Sequence, residues 1–197
     1  MKKVIITIGR EFGSGGREIG IKLSEKLNIP FYDKELILKT AQKTKLEQTI
    51  VEKFDEKHSF PSFSSSNLFD IYQMPMSDRV YIAQADVIRE IASKGSCVIV
   101  GRCADYILAN DPDCFKVFIT APMRDKVERK RPLLEGETDK EIENHITKIN
   151  KKRSKYYAYY TDGNWGSAFT YNLCIDSSVL GIDGTVDLII HAVNMRL

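Results

Sequence analysis

The feature that most constrains this chain is the join that spans residues 4–27. Residues 4–8 are a short β-branched run, Gly9-Arg-Glu-Phe-Gly-Ser-Gly-Gly-Arg-Glu18 follows, and Ile19, Leu23 and Leu27 then recur at helical spacing. This order predicts a buried strand ended by Gly9, a glycine turn, and a helix that begins near Gly15. Glycines at 13, 15 and 16 remove side chains, so backbone N–H groups can converge on an anion, and the helix N-terminus adds its positive dipole end. Arg17 adds a planar charge suited to bidentate phosphate contact. A plain turn needs neither three glycines nor two flanking arginines. The segment therefore reads as a phosphate-binding loop, with Gly13, Ser14, Gly15, Gly16, Arg17 and Glu18 as its contacts.

Neither common phosphate-loop signature fits. In G-x-G-x-x-G the third glycine position is Glu18. In G-x-x-x-x-G-K-[ST], with Gly15 as the second glycine, Arg10 takes the first glycine position and Gly16 stands where lysine belongs.

Beyond the loop, short apolar runs alternate with helical patterns. Residues 31–32 read as a second strand that ends in the carboxylate of Asp33, and residues 34–45 read as helical. The periodicity of Val80, Ala83, Val87, Ile88 and Ile91 predicts a helix stopped by Gly95. Residues 97–100 form a third strand closed by Gly101-Arg102, and residues 115–120 a fourth. Ile142, Ile146 and Ile149 mark a helix with a basic flank, residues 171–175 a fifth strand, and Ile182 to Val193 the closing helix. Alternation of this kind predicts a three-layer α/β fold with a mainly parallel five-stranded sheet. Residues 46–78 break the pattern. Their Ser- and Phe-rich stretch, residues 58–67, reads as a mobile insertion or an acceptor-site flap.

Composition narrows the function class. The formal net charge of +2 does not by itself imply nucleic-acid binding. No apolar run approaches transmembrane length, which argues against a membrane partner. The cysteines at 97, 103, 114 and 174 lack metal-site or redox spacing and read as free thiols in a reducing compartment, so a cytoplasmic location is expected.

Residues 8–20, Ile-Gly-Arg-Glu-Phe-Gly-Ser-Gly-Gly-Arg-Glu-Ile-Gly, resemble the opening of the cytidylate kinase-like proteins, a branch of the P-loop nucleoside monophosphate kinases. The resemblance continues through Pro30-Phe-Tyr-Asp-Lys-Glu-Leu-Ile37, Val98-Ile-Val-Gly-Arg-Cys-Ala-Asp-Tyr-Ile-Leu108 and Val117-Phe-Ile-Thr-Ala-Pro122. It resumes at Arg153-Ser-Lys-Tyr-Tyr157, Trp165 and Tyr171-Asn-Leu-Cys-Ile-Asp-Ser-Ser178. It implies one P-loop kinase domain over residues 1–197, with an acceptor-side insertion around 46–78 and a helical lid around 124–160. It also implies transfer of the ATP γ-phosphoryl group to a monophosphate such as CMP or dCMP, with Mg²⁺. ATP and a small phosphorylatable acceptor are then the expected partners.

Carried onto this sequence, Gly13 to Glu18 would hold the ATP phosphates, and Asp33, Arg102 and Asp176 would lie at the acceptor site. Arg17, Arg129 and Arg153 would be catalytic, the last two in or beside the lid. Glu18 is the candidate Mg²⁺-facing carboxylate, through water; pairing with Arg17 or Lys22, or favouring the helix N-terminus, are its alternatives. Cytidylate kinases carry an aspartate after the Gly-Arg pair that helps recognise cytosine, and this chain has Cys103. Asp105 reads as serving local structure, and the tyrosines from 156 to 160 as helix packing. A kinase with a non-nucleotide acceptor and a non-catalytic nucleotide-binding regulator are the alternative functions.

Overall fold

Strand β1 (Ile5–Arg10) is the centre of the molecule because it is apolar on both faces, and only a strand covered on both sides can bury that much. The computed structural model describes residues 3–33 and 75–196. Within them β1 is flanked by β3 (Cys97–Val100) and β4 (Cys114–Thr120), with Ile5 level with Cys97 on one side and Cys114 on the other. Strands β2 (Phe31–Tyr32) and β5 (Leu173–Asp176) form the edges. The order is β2-β3-β1-β4-β5 and every pair is parallel, so the expected α/β class holds.

Side-chain alternation along the strands divides the core in two. Ile6 and Ile8 face α1 (Gly16–Leu27) and α6 (Ser177–Arg196), where they join Ile19, Leu23, Val186, Ile189 and Val193. Ile5 and Ile99 face α2 (Met76–Lys94) and α3 (Ala104–Ile107), beside Val87, Ile88 and Ile91. Helices on both faces of a parallel sheet are the three layers that the sequence pattern predicts. A third, small cluster forms outside the sheet. Val127 of α4 (Met123–Lys130) meets Ile142 and Ile146 of α5 (Asp139–Thr161), and Phe12 of the glycine turn packs against them. Thr138 and Glu141 close the start of α5 with a reciprocal capping box.

Three boundaries differ from the sequence expectation, each for a local reason. β1 continues through Gly9 and Arg10, which pair with Phe118 and Ile119. Gly9 permits this because a Cβ there would lie 2.8 Å from the Phe118 ring and 2.9 Å from the Tyr171 hydroxyl. β5 starts at Leu173 rather than Tyr171. Just before it, Asn172 exchanges two hydrogen bonds with Lys116, but the one it accepts goes to its side-chain oxygen, so the backbone ladder has not yet begun. The last helix begins at Ser177 and is interrupted at Gly181, which has φ 66 and ψ −177. The helix expected over 34–45 and the Ser-rich stretch lie outside the described residues. Of the segment 46–78, Met76 to Asp78 already belong to α2.

Gly20 sets how closely α1 lies on the sheet. A Cβ there would stand 2.9 Å from Val100 Cγ2, 3.0 Å from Phe31 Cε2 and 3.3 Å from Ile8 Cδ1. Gly20→Val is therefore expected to destabilise the fold by ~1–3 kcal/mol through overpacking. Urea unfolding checks this as a lower midpoint at unchanged slope.

Candidate functional site

The glycine turn leaves the C-terminal end of β1 and is held from several sides. Glu11 N–H still bonds to Ile119 on β4 at 3.0 Å, and Phe12 N–H bonds to Asn150 Oδ1 on α5 at 2.7 Å. Gly13 and Gly15 take left-handed φ values of 86 and 80, where a side chain would be strained. Ser14 is fully buried; its hydroxyl donates to Glu11 O at 2.9 Å, and its own carbonyl accepts from Ser177. Ser14 thus shapes the turn through its side chain. α1 then starts at Gly16 with no side-chain cap, so its first N–H groups are not covered by the Gly15 position.

Charge is fixed around this turn. The Glu11 carboxylate accepts from Thr120 Oγ1 at 2.7 Å and from buried Lys126 Nζ at 2.9 Å. Arg129 Nη1 donates to Gly13 O at 2.5 Å. Arg153 Nη1 donates to Arg10 O at 3.2 Å, so it is drawn off the solvated lysine face of α5 towards β1. Lys130 Nζ lies 4.6 Å and Arg153 Cζ 5.7 Å from the centre of the Phe12 ring, which also stacks on His145. Arg17 is exposed at the helix start and bonds Asp33 Oδ2 at 3.0 Å. Lys130 is pulled below the usual lysine range, by burial first and then by the neighbouring Arg153 and Arg129 charges. Lys130, Arg129 and Arg153 are thus close enough to repel one another, and an anion between them would relieve that repulsion.

Of these groups, Glu11, Phe12, Arg17, Arg129, Lys130 and Arg153 line one open groove of about 860 Å³, within the size range of small-molecule sites. It brings together Gly13, Gly15, Gly16, Arg17, Glu18, Asp33, Arg102, Arg129 and Arg153 from the sequence reading. Asp176 is elsewhere: its Oδ1 accepts from Ser178 N–H at 2.9 Å and from the Ser178 hydroxyl at 2.7 Å, at the start of α6. Arg131 points away from the groove and pairs with Asp139.

A second, more enclosed cavity of about 50 Å³ adjoins the groove under the turn after β3. Gly101, Arg102 and Cys103 all have positive φ, at 81, 61 and 55. Two non-glycine residues in that region cost on the order of 1–3 kcal/mol each, and such strain gathers at functional sites. Arg10, Arg102 and Arg153 line both spaces. The cavity is also lined by Asp105, Tyr156, Tyr157, Trp165 and Tyr171. Asp105 is buried and accepts from the Tyr157 hydroxyl at 2.7 Å. Its expected local role therefore extends to a distant helix. The packing expected of the tyrosines holds for Tyr160, which stacks on Tyr81 with ring centres 3.8 Å apart, while Tyr156 and Tyr157 also face the cavity.

The sequence reading missed Arg10 and Lys130. Arg10 carries the signal that singled out Arg102, an arginine at the end of a buried strand. The cysteines are free, as expected, and burial pushes the Cys97 thiol up to about 12 and the Cys114 thiol to about 11, so both are held protonated. Among the described residues no group of three or more His, Cys, Asp or Glu side chains could hold a metal alone. Glu18 and Asp33 nonetheless offer hard carboxylate oxygens on the groove wall. That suits Mg²⁺, which keeps several waters and relies on substrate phosphates. No described helix is long and apolar enough to cross a membrane.

Residues 5–179 match the Cytidylate kinase-like family. Among solved structures, an uncharacterized protein from Eubacterium ventriosum ATCC 27560 is 32% identical with a TM-score of 0.74, over 98% of this chain and 99% of that one. Shikimate kinase from Bacteroides thetaiotaomicron shares the fold at 17% identity and a TM-score of 0.58, over 97% and 98% of the two chains. Shikimate kinase from Acinetobacter baumannii in complex with shikimate does so at 15% and 0.52, over 100% and 95%. No curated protein matches the sequence.

Burial raises the Asp105 carboxyl above its ordinary 3.8, against the opposing pull of Tyr157, Tyr171 and Lys116. The native state then keeps a proton that the unfolded chain gives up. Stability is fully present below the unfolded value and is lost as pH rises through the native one. Asp105→Asn retains an acceptor for Tyr157 and cannot ionise. Its stability relative to the wild type is expected to rise with pH, read by urea unfolding between about pH 4 and pH 8. A difference that stays constant across that range would contradict the burial argument.

Proposed function

Since the chain belongs to the cytidylate kinase-like family, we propose that it transfers the γ-phosphoryl group of ATP, with Mg²⁺, to CMP or dCMP. The observation that carries the reading is the pair of adjoining spaces at the C-terminal edge of a parallel sheet, joined through Arg10, Arg102 and Arg153. One space is an open groove over a glycine turn and a helix start, suited to a polyphosphate. The other is an enclosed, partly aromatic cavity, suited to the acceptor. In the proposed step an acceptor phosphate oxygen forms a bond to the γ-phosphorus, the bond from γ-phosphorus to the β–γ bridging oxygen breaks, and ADP leaves.

Such a transfer needs alignment and charge neutralisation more than covalent help. Gly13, Gly15 and Gly16 let the phosphates approach the backbone, and Arg17 and Arg129 flank the turn. Arg153 and Arg102 face the line between donor and acceptor. Glu18, with Asp33 beside it, would hold the Mg²⁺, which when bound neutralises phosphate charge. We assign Asp176 to capping α6. On this reading helices α4 and α5, which carry Arg129 and Arg153, serve as the lid of a single domain, and a cytoplasmic location fits the use of ATP.

A second reading keeps the reaction and replaces the nucleotide with a small anionic acceptor. It is favoured by buried Cys103 at the position of the cytosine-recognising aspartate and by the small cavity. One structural relative holds shikimate, which is not a nucleotide.

ATP, Mg²⁺ and a panel of nucleoside monophosphates, read by coupled ADP detection, separate these readings. Turnover is expected with CMP or dCMP, and Arg129→Ala should lower kcat by roughly 10²–10³. Turnover with shikimate or another anionic metabolite, but with no monophosphate, would select the second reading. ATP binding without transfer to any acceptor would leave a regulatory protein.

A further inference from the structure

The glycine turn lacks a lysine at residue 16, and the structure shows what fills that place. Gly16 is the first residue of α1, and a Cβ built on it would lie 2.5 Å from Arg10 Cβ, 3.0 Å from Arg10 Cγ and 3.4 Å from Ile119 Cβ. The aliphatic stem of Arg10, at the end of β1, thus occupies the space through which a side chain at 16 would leave. Further along, the guanidinium passes Gly101, where an added Cβ would meet Arg10 Nη1. Two glycines from separate elements therefore bound a channel for one arginine. Gly101 has left-handed φ, so its turn is built around the absence of a side chain.

The channel delivers its charge to a particular place. Arg10 lines the groove over the glycine turn and also the enclosed cavity. Its backbone carbonyl accepts from Arg153, which holds a second cation at the same junction.

We infer that Arg10 supplies the cation that the turn lacks at residue 16, contacting the phosphate that passes between the groove and the cavity. The assignment rests on the kinase reading for the transfer step, but its phosphate contact is testable without transfer. A planar guanidinium can hold two oxygens at once, where an ammonium acts as a point charge. At the junction of the groove and the cavity this geometry favours bridging donor and acceptor.

The test exchanges the two residues. Affinity for inorganic tripolyphosphate and for ATP is measured by calorimetry in the wild type, Arg10→Gly, Gly16→Lys and the double variant, with circular dichroism as the check of folding. Arg10→Gly is expected to weaken tripolyphosphate binding at least about tenfold. Gly16→Lys alone, whose new stem meets Arg10, is expected to lower Tm. The double variant frees the channel for the lysine and is expected to bind within about threefold of the wild type. If Arg10→Gly does not fold, Arg10→Met keeps the stem, removes the charge and should show the same loss. Affinity within about threefold of wild type in the uncharged variants, or a folded double variant no tighter than Arg10→Gly, overturns the assignment. A wild type that binds tripolyphosphate but phosphorylates no acceptor overturns the kinase reading and leaves the Arg10 comparison to be read on affinity. A wild type that binds neither ligand overturns both.

Discussion

The glycine turn is shaped from outside, and the rest of the site depends on that. Lys126 of α4 closes on Gly13, Ile182 of α6 closes on Gly15, and Arg10 of β1 closes on Gly16. None of the three positions has room for a Cβ, so the backbone path is set by elements distant in sequence. Close approach leaves the main chain bare on its open side, which is the geometry that lets N–H groups meet an anion. The Lys126 stem touches Gly13 while its ammonium reaches Glu11 in a buried pair with Thr120. Such a pair adds little net stability, yet breaking one partner costs about 3–5 kcal/mol. It therefore fixes α4, β4 and the turn relative to one another rather than strengthening the fold in general.

This arrangement explains which parts were legible in the sequence. The strand, turn and helix at the chain start were, because β-branched runs and helical spacing are local patterns and the sheet only collects them. Arg102 was legible as an arginine at a strand end. Its left-handed backbone was not, because nothing in its own residue type asks for it. Arg10 carries the same strand-end signal but went unread, since its path depends on Gly16 and on Gly101, far along the chain. Asp176 looked like a site carboxylate from the family motif. In the structure its Oδ1 accepts from Ser178, two residues on, through both the N–H and the hydroxyl. Ser14 stood among the loop contacts, but its hydroxyl is spent on Glu11 and only three-dimensional burial reveals that.

Charge placement is the next consequence. Arg129 is held by Gly13 O, Arg153 by Arg10 O, and Lys130 and Arg153 lie over the Phe12 ring. Each of these cations is positioned by a fixed acceptor or an aromatic face. Asp33 and Glu11 pair with Arg17 and Lys126, one at each flank. Charges arranged before a ligand arrives need little reorganisation when negative charge builds up, which is where electrostatic catalysis draws most of its effect. Phe12 is thus more than a core residue of the α4–α5 cluster. It couples the turn, through its N–H to Asn150 and its ring to His145, to the helices that carry those cations.

The cavity differs from the groove in holding a buried carboxyl. Arg10, Arg102, Lys152 and Arg153 line it, and Asp105 is its one acidic residue among the described side chains. Burial raises the Asp105 carboxyl, against the opposing pull of Tyr157 and Lys116. On the kinase reading, the arginines would meet an acceptor's negative charge and Asp105 would offer it a buried carboxyl. Cys103 does not substitute for that carboxyl: its thiol is buried and is a weak donor at best. On that reading, discrimination between acceptors would rest on whether a molecule can pair with the buried Asp105 carboxyl braced by Tyr157. That demand is stricter than charge alone, because an acceptor without the matching group would leave a buried polar atom unpaired, at a cost of about 1–3 kcal/mol.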